Sequence, residues 1–123
     1  TWTYAEFCAN IMVLDNTIRF VGIADKKGRI FASAHRPGLA PLLDKEESEE
    51  WIKDALVRFS VEPKLMSKVG GIVYASSVYE KVRRVTLRFQ RDEILVVTFE
   101  READHESIIN AKILPLLKEK LVS

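Results

Sequence analysis

The chain has 123 residues, of which 47% are hydrophobic and 30% are charged, and its formal net charge is +1 at pH 7. The length suits one domain with a sizeable hydrophobic core, and the composition excludes a disordered or fibrous protein. A net charge near zero gives no general attraction to nucleic acid or to an anionic membrane. We therefore expect a single globular domain over residues 1–123.

The cysteine content and the apolar runs indicate where the protein works. Cys8 is the only cysteine, which excludes an internal disulfide and a metal site of several thiolates and is typical of a reducing cytoplasm. No apolar run approaches the roughly 20 residues of a membrane span. The N-terminal segment has neither the basic start nor the small-residue cleavage site of a signal peptide. We expect a cytoplasmic protein that makes no membrane contact.

The first predicted element is an amphipathic helix over residues 3–14. Its apolar residues recur at the spacing of one helix face, at Tyr4, Phe7, Cys8, Ile11 and Met12. Cys8 lies on that face, so we interpret it as a small buried hydrophobic residue. A reactive thiol would need exposure and a cationic neighbour.

A β-hairpin follows, with strands over 18–24 and 29–35. Asp25 and Gly28 mark its turn, because Asp accepts hydrogen bonds from nearby backbone N–H groups and Gly adopts the left-handed conformation. Gly22, inside the first strand, indicates a bulge or the close approach of another backbone.

A second helix begins near residue 45. Asp44 and Glu47 form a capping box, and carboxylates at this end suit the helix dipole. The predicted buried stripe consists of Trp51, Ile52, Ala55, Leu56 and Phe59. Pro63 ends or kinks the helix, because it lacks an N–H and its ring clashes with the preceding turn, and the residues after it suit a further short turn.

Three strands then form a meander. The strand over 72–79 is weak in β-forming residues, and we predict it at a sheet edge. Residues 82–89 alternate between apolar and polar side chains, as in a strand with one buried face, and a polar turn follows at 90–92. The run 94–99 is apolar on both faces, which indicates a central strand covered on both sides.

The last element is a helix capped by Asp104, in which Pro115 causes a kink or marks the last turn. The element order is therefore α-β-β-α-β-β-β-α. This order predicts an α+β fold with one five-stranded antiparallel sheet. The terminal helices are expected on one face of the sheet, and the middle helix on the other face or against a partner.

The element order and length resemble the roadblock/LC7 family and, more broadly, the profilin-like folds. The resemblance covers residues 3–121 and includes the turn Ile23-Ala24-Asp25-x-x-Gly28. Three segments also resemble an uncharacterised archaeal domain family of similar length. These segments are Phe20-x-Gly22-Ile23-Ala24-Asp25, Tyr79-Glu80-Lys81-Val82 and Ala103-Asp104-His105-Glu106-Ser107-Ile108-Ile109.

The roadblock resemblance implies a non-enzymatic protein-interaction or scaffolding module. Roadblock domains form homodimers, or heterodimers with a related subunit, through an edge strand and the middle helix. They scaffold or regulate small Ras-like GTPases and signalling partners. Trp and Tyr are favoured anchors of interfaces. The predicted interface residues are Trp51, Ala55, Phe59, Tyr74 and Tyr79.

Basic residues cluster on the fourth predicted strand and its flanks, at Lys81, Arg83, Arg84, Arg88 and Arg91. Three interpretations stay open: a solvated face whose charges prevent edge aggregation, a face that meets the acidic start of the middle helix across a dimer, and a surface for single-stranded nucleic acid. The near-zero net charge argues against nucleic acid.

In the loop after the hairpin, Arg36 is a candidate for binding an anion or a partner carboxylate; a plain exposed loop is the alternative.

The sequence has no pattern typical of an enzyme or of a cofactor-binding protein. It has no phosphate-binding glycine motif and no recognisable pair of nucleophile and base, and Asp104-His105-Glu106 is typical of a helix start. We expect no enzymatic activity, no cofactor and no metal.

The alternative function is a small-molecule sensor whose pocket lies between the sheet and the middle helix, near Phe20, Arg36 and Trp51.

Overall fold

The computed structural model describes residues 1–119 and 122, and residues 120, 121 and 123 of the predicted domain lie outside this description. In chain order the elements are α1 (Tyr4–Met12), β1 (Ile18–Ala24), β2 (Ile30–His35), α2 (Lys45–Arg58), α3 (Pro63–Val69), β3 (Tyr74–Val78), β4 (Val82–Arg88), β5 (Ile94–Glu100) and a C-terminal helix. The C-terminal helix consists of α4 (His105–Ile108), a π-helical turn (Ile109–Ile113) and α5 (Leu114–Glu119).

The strands form a five-stranded antiparallel sheet in the order β2-β1-β5-β4-β3. The predicted α+β fold is confirmed, with β5 at the centre and β3 at an edge. Three strands are shorter than predicted, and β4 ends at Arg88, one residue early. β2 begins after Arg29, whose N–H donates instead to the Asp25 carboxylate at 3.0 Å. β3 ends before Tyr79, whose N–H donates to the Val82 carbonyl across the following turn at 2.8 Å.

Helices cover both faces of the sheet, as predicted. The main core lies beneath α1 and the C-terminal helix and includes Phe7, Cys8, Ile11, Val21, Ile23, Val85, Leu87, Leu95, Val97, Phe99, Ile109 and Ile113. A second core lies beneath α2 and includes Ala24, Ile30, Ile52, Ile94 and Val96, with Phe20 and Leu56 packed against it. Successive residues of β5 enter opposite cores, which explains why this strand is apolar at every position.

The two N-terminal helix ends follow the local sequence closely. Thr3 and Glu6 form a capping box at α1, and Asp44 and Glu47 form the predicted capping box at α2. In each box the side chain of the cap accepts a backbone N–H, and the Glu side chain accepts the N–H of the cap. The first turns are therefore stabilised without help from the rest of the fold.

Pro63 begins a helix instead of ending one. α2 has already stopped at Arg58, and Pro63 occupies the first turn of α3, where its missing N–H needs no partner. The predicted short turn after Pro63 is thus a seven-residue helix. None of its residues is buried, so α3 lies on the surface of the described chain.

Pro115 lies within the C-terminal helix, as predicted. The preceding segment, Ile109–Ile113, is a π-helical turn, and the Leu114 N–H donates to the Ile109 carbonyl five residues earlier. Proline has no N–H to donate, and its ring crowds the carbonyl of the residue four positions before it. The wider turn accommodates both effects without ending the helix.

Candidate interaction groove

A groove of about 680 Å³ crosses one end of the sheet, beneath α2 and the loop of residues 36–44. Its floor comes from four neighbouring strands, with His35 of β2, Phe20 of β1, Thr98 of β5 and Val82 of β4. α2 forms one wall and the loop forms another. The groove thus lies between the sheet and the middle helix, where the alternative function places a small-molecule pocket.

A β-bulge in β1 shapes the floor of the groove. Ile18 pairs with Phe99 of β5, but Phe20 pairs with Thr98, so Arg19 is an extra residue in the ladder. Both Arg19 and Phe20 therefore line the groove. Strict alternation would send one of these two side chains to the opposite face.

Gly22 lets the Phe20 ring lie along the strand. A Cβ at Gly22 would stand 2.7 Å from Cζ of that ring, closer than carbon atoms approach without a shift. The ring also contacts His35, with 4.9 Å between ring centroids. The close approach predicted at Gly22 therefore exists, with a side chain rather than a backbone as the neighbour.

An aromatic pair with a buried arginine closes the other end of the groove. Trp51 Nε1 donates to the Tyr79 hydroxyl at 3.0 Å. The guanidinium carbon of Arg84 lies 4.9 Å from the centroid of the Trp51 ring and 5.5 Å from that of Tyr79. Arg84 is 2% exposed, donates to the Trp51 carbonyl at 3.0 Å and lies 3.6 Å from the Asp54 carboxylate. The rings, the carbonyl and the carboxylate together compensate the buried charge.

The rim of the groove is mostly acidic. The carboxylates that line it belong to Glu47, Glu50, Asp54 and Glu80. The cations that line it are Arg19 and Lys81, and Arg19 already pairs with Glu100 at 3.0 Å. The groove therefore presents a net negative potential to an incoming ligand.

The loop of residues 36–44 brings an apolar segment to the groove. The segment consists of Leu39, Ala40, Pro41, Leu42 and Leu43, all of which line the groove. Leu42 is 54% exposed and Leu39 is 37% exposed. Residues 41–43 also form part of a second depression, of about 850 Å³, that extends over β2. Large apolar side chains left in water beside a groove are typical of a contact surface.

The predicted interface residues lie in three different surroundings. Ala55 and Phe59 are buried, with 2% and 8% exposure, and leave little side-chain surface for a partner. Tyr74 packs against the main core. Trp51 and Tyr79 contact each other on the face of the sheet that α2 covers, opposite the main core. The interface role of all five residues stays a prediction.

Backbone carbonyls engage the Arg36 guanidinium. Its Nε donates to the Ile18 carbonyl at 2.9 Å, and one terminal nitrogen donates to the carbonyls of Met12 and Asp15 at 2.9 and 2.6 Å. It does not line the groove, whose walls lie nearer Phe20 and Trp51. Arg36 thus ties the end of β2 to the turn between α1 and β1, and its contact with an anion or a partner carboxylate stays a prediction.

The basic residues of β4 lie on two faces of the sheet. Arg84 is buried beneath α2, which excludes a solvated face for this residue, and the exposed Arg88 follows on the same side beside Gly71. Arg83 points to the other side, towards His105. This division weakens the nucleic-acid interpretation, which depended on a single basic surface. The exposed turn residue Arg91, with φ of 54°, does not restore it.

Arg83 and His105 link the C-terminal helix to the edge strand. Arg83 Nη1 lies 2.9 Å from His105 Nδ1, and His105 Nε2 lies 3.3 Å from the Ser76 hydroxyl of β3. Since arginine can only donate, Nδ1 accepts, and the neutral ring carries its proton on Nε2 towards Ser76. Asp104 caps the helix start by accepting from the Ser107 N–H at 3.3 Å, as predicted.

His105 should make folding stability depend on pH. Burial, and then the charge of Arg83, lower the pKa of His105 below its usual 6.5. The unfolded chain therefore takes up the proton more readily, so we expect stability to fall as the pH falls through 6.5 and to level off below the lowered pKa. Urea unfolding from about pH 8 to about pH 5 measures this. The His105→Gln variant should lose that dependence and the control His35→Gln should keep it; the reverse result would contradict the link.

The described residues contain a buried thiol and no cluster of metal ligands. Burial raises the pKa of the Cys8 thiol to about 12, which keeps it protonated and supports its interpretation as a core residue. Among residues 1–119 and 122, no three or more His, Cys, Asp and Glu side chains are grouped so that they could hold a metal ion. No helix in the described part of the chain is long and apolar enough to cross a membrane.

Several groove residues were not identified from the sequence. The apolar loop segment at 39–43 carried a usable signal, because five consecutive apolar residues are unusual between a strand and a capped helix. No sequence pattern predicts the bulge at Arg19 or the pairing of Thr98 with Phe20, because strand register depends on pairing across the sheet.

The comparisons with known proteins agree with this architecture. No protein-family model and no curated protein matches the sequence. A roadblock/LC7 domain from Streptomyces avermitilis superimposes with a TM-score of 0.70 at 12% identity, over 93% of this chain and 91% of that one. The chain has a roadblock/LC7-like fold. MglB in a tetrameric arrangement gives 0.70 at 14% identity, over 96% of this chain and 90% of that one. Schizosaccharomyces pombe profilin gives 0.60 at 13%, over 97% and 100%, which places this roadblock-like chain among the profilin-like folds.

Proposed function

We propose that this roadblock-like chain is a non-enzymatic, cytoplasmic protein-interaction module that works as a dimer and regulates a small GTPase or a related signalling partner. The observation that carries the proposal is the outer edge of β3. Within the described chain β3 pairs with β4 alone, and Val73, just before β3, and Val78, its last residue, are 62% and 52% exposed. An edge with unpaired backbone groups and exposed apolar side chains is a template for pairing with another strand.

The helix that precedes β3 in the chain, α3, also carries exposed apolar side chains. On α3, Leu65, Met66 and Val69 are 49%, 36% and 80% exposed. These side chains and those of β3 stay in water in the isolated chain, so a second copy or a related subunit would bury them. MglB, which has a similar fold, forms a tetrameric arrangement, and this supports assembly as the mode of action.

The partner class follows from the resemblance to roadblock domains, which implies small Ras-like GTPases. The chain has no phosphate-binding loop, so in the proposed complex the GTPase alone holds the nucleotide. Titration with purified Ras-like GTPases of the same organism, in their GDP and GTP-analogue forms, tests this part. Failure to bind any of them would overturn it.

Charge substitutions on the β3 edge test the dimer. We expect native mass spectrometry at micromolar concentration to give twice the chain mass for the wild type and the single mass for Val73→Lys/Val78→Lys, because like charges would face each other across the paired edges. Val13→Lys is the matched control, since Val13 is 74% exposed at the end of α1 and should leave the dimer intact. A monomeric wild type, or a double variant that stays dimeric, would contradict the proposed edge.

A further inference from the structure

We propose that the groove beneath α2 binds an amphipathic helix of a partner protein, with its apolar face on the floor and basic residues on its flanks. The groove opens beside α2, whereas the proposed dimer uses the outer edge of β3. The inference therefore adds a second surface to the interaction module and does not depend on the dimer.

The length of the groove suits a short helix. The strand residues that line it run from His35 on β2 across β1 and β5 to Val82 on β4, and so span four strands. Three interstrand spacings of about 4.8 Å give a length of about 14 Å. A helix rises about 1.5 Å per residue, so about 10 residues span this distance.

The floor and walls suit an apolar face. Phe20 from the sheet and Trp51 from α2, both partly exposed, contribute apolar side chains above the buried Val82 and Val96. Leu42 overhangs the groove from the loop and is more than half exposed. A helix that enters between the loop and α2 would cover this surface in the helix-in-groove mode of recognition.

The sheet favours a helical occupant over an extended one. β1, β5 and β4, which form most of the floor, are hydrogen-bonded to strands on both sides, so their backbone groups are already paired. An extended segment buried on this floor would leave its own N–H and C=O groups without partners, which is unfavourable. A helix bonds its backbone internally and can be buried side by side with the floor.

The rim determines the charge of the occupant. Glu50, Glu80 and Glu47 are exposed at the rim, whereas Asp54 already pairs with Arg58 at 3.2 Å and lies 3.6 Å from Arg84. Arg19 is neutralised by Glu100, which leaves Lys81 as the one opposing cation among the described lining residues. Lys or Arg on the flanks of the incoming helix would meet these carboxylates, which favours a basic helix over an acidic one.

The wall that receives the helix is already held in place. Arg84 packs against both Trp51 and Tyr79 and donates to the Trp51 carbonyl. The hydrogen bond between the two aromatic side chains fixes them relative to each other. Binding therefore does not have to order this wall, which reduces the entropy lost on association.

Selection from a displayed library of random peptides, each long enough to form a short helix, tests the proposal. The target is the full wild-type chain. We expect the enriched peptides to repeat apolar residues at i, i+3, i+4 and i+7, with Lys or Arg beside them. Circular dichroism of the bound peptide should show helix. No enrichment, or enrichment of acidic or proline-rich extended peptides, would overturn the proposal.

Variants locate the bound peptide. We expect Leu42→Asp and Glu50→Lys to weaken binding of the enriched peptide at least about tenfold, or about 1.4 kcal/mol. Both residues are exposed, so the fold should tolerate the changes. Val13→Asp and Glu106→Lys are matched controls outside the groove and should bind normally. Binding that survives both groove variants would overturn the assignment. The dimer variant Val73→Lys/Val78→Lys should still bind, which separates this proposal from the dimer.

Discussion

Replacing Arg84 with alanine is expected to lower the free energy of unfolding by about 2 to 4 kcal/mol. Arg84 is among the largest fully buried side chains, and its removal empties the space between Trp51 and Tyr79. It also removes the side-chain hydrogen bond to the Trp51 carbonyl. The loss of the ion pair adds little, because the Asp54 side chain is about half exposed and water can solvate it.

Two variants separate the contributions of the Arg84 side chain. Arg84→Met keeps the apolar length of the side chain but loses the charge and the donors, so we expect about half of the alanine effect. Arg88→Ala is the matched control on the same strand and face, and because Arg88 is exposed its effect should stay within about 0.5 kcal/mol. Urea unfolding followed by far-UV circular dichroism measures all three, and equal losses for Arg84→Ala and Arg88→Ala would contradict the role of the buried guanidinium.

The sequence predicts the sheet well because strand patterns are local. The alternation over 82–89 and the apolar run over 94–99 correspond to β4 and β5, with β5 at the centre. The capping box of Asp44 and Glu47 marks the start of α2 to the residue. Each of these patterns depends on residues within a few positions in the sequence, so tertiary packing does not alter the structure that it predicts.

The candidate site is predicted less well because it depends on distant neighbours. The alternation places Arg84 and Arg88 on one strand face, but it does not say that α2 covers the first and leaves the second in water. The same limit applies to Pro63, because a proline is compatible with both the end of one helix and the first turn of the next. Sequence periodicity assigns a face to a residue, whereas tertiary packing decides what covers that face.

The division of β4 into two faces also changes the functional interpretation. Arg83 donates a hydrogen bond to His105 of the C-terminal helix, and Arg84 packs against the aromatic wall of the groove. Two adjacent arginines that looked like one charged patch therefore stabilise different parts of the fold. What remains for recognition is an acidic groove and an apolar strand edge, and both suit protein partners better than phosphates.

Replacing Arg36 with alanine is expected to lower the free energy of unfolding by about 2 to 3 kcal/mol, the sum of three charge-assisted hydrogen bonds at a partly exposed site. The guanidinium donates to the carbonyls of Met12, Asp15 and Ile18, two of which belong to the last residue of α1 and the turn after it. Without Arg36 the end of β2 loses its tie to this turn, and water satisfies the carbonyls only in part.

The Arg36 prediction also decides between the two interpretations of this residue. Arg36→Lys keeps the positive charge but cannot reach three carbonyls in different directions from one ammonium group, so we expect it to recover less than half of the lost stability. Arg29→Ala is the matched control, since Arg29 is exposed in the same hairpin and no carbonyl accepts from its side chain among the described hydrogen bonds. If Arg36→Ala were as stable as the wild type and instead lost affinity for inorganic phosphate, the anion contact expected from the sequence would be right. A loss of stability with no change in phosphate binding would establish Arg36 as a structural tie.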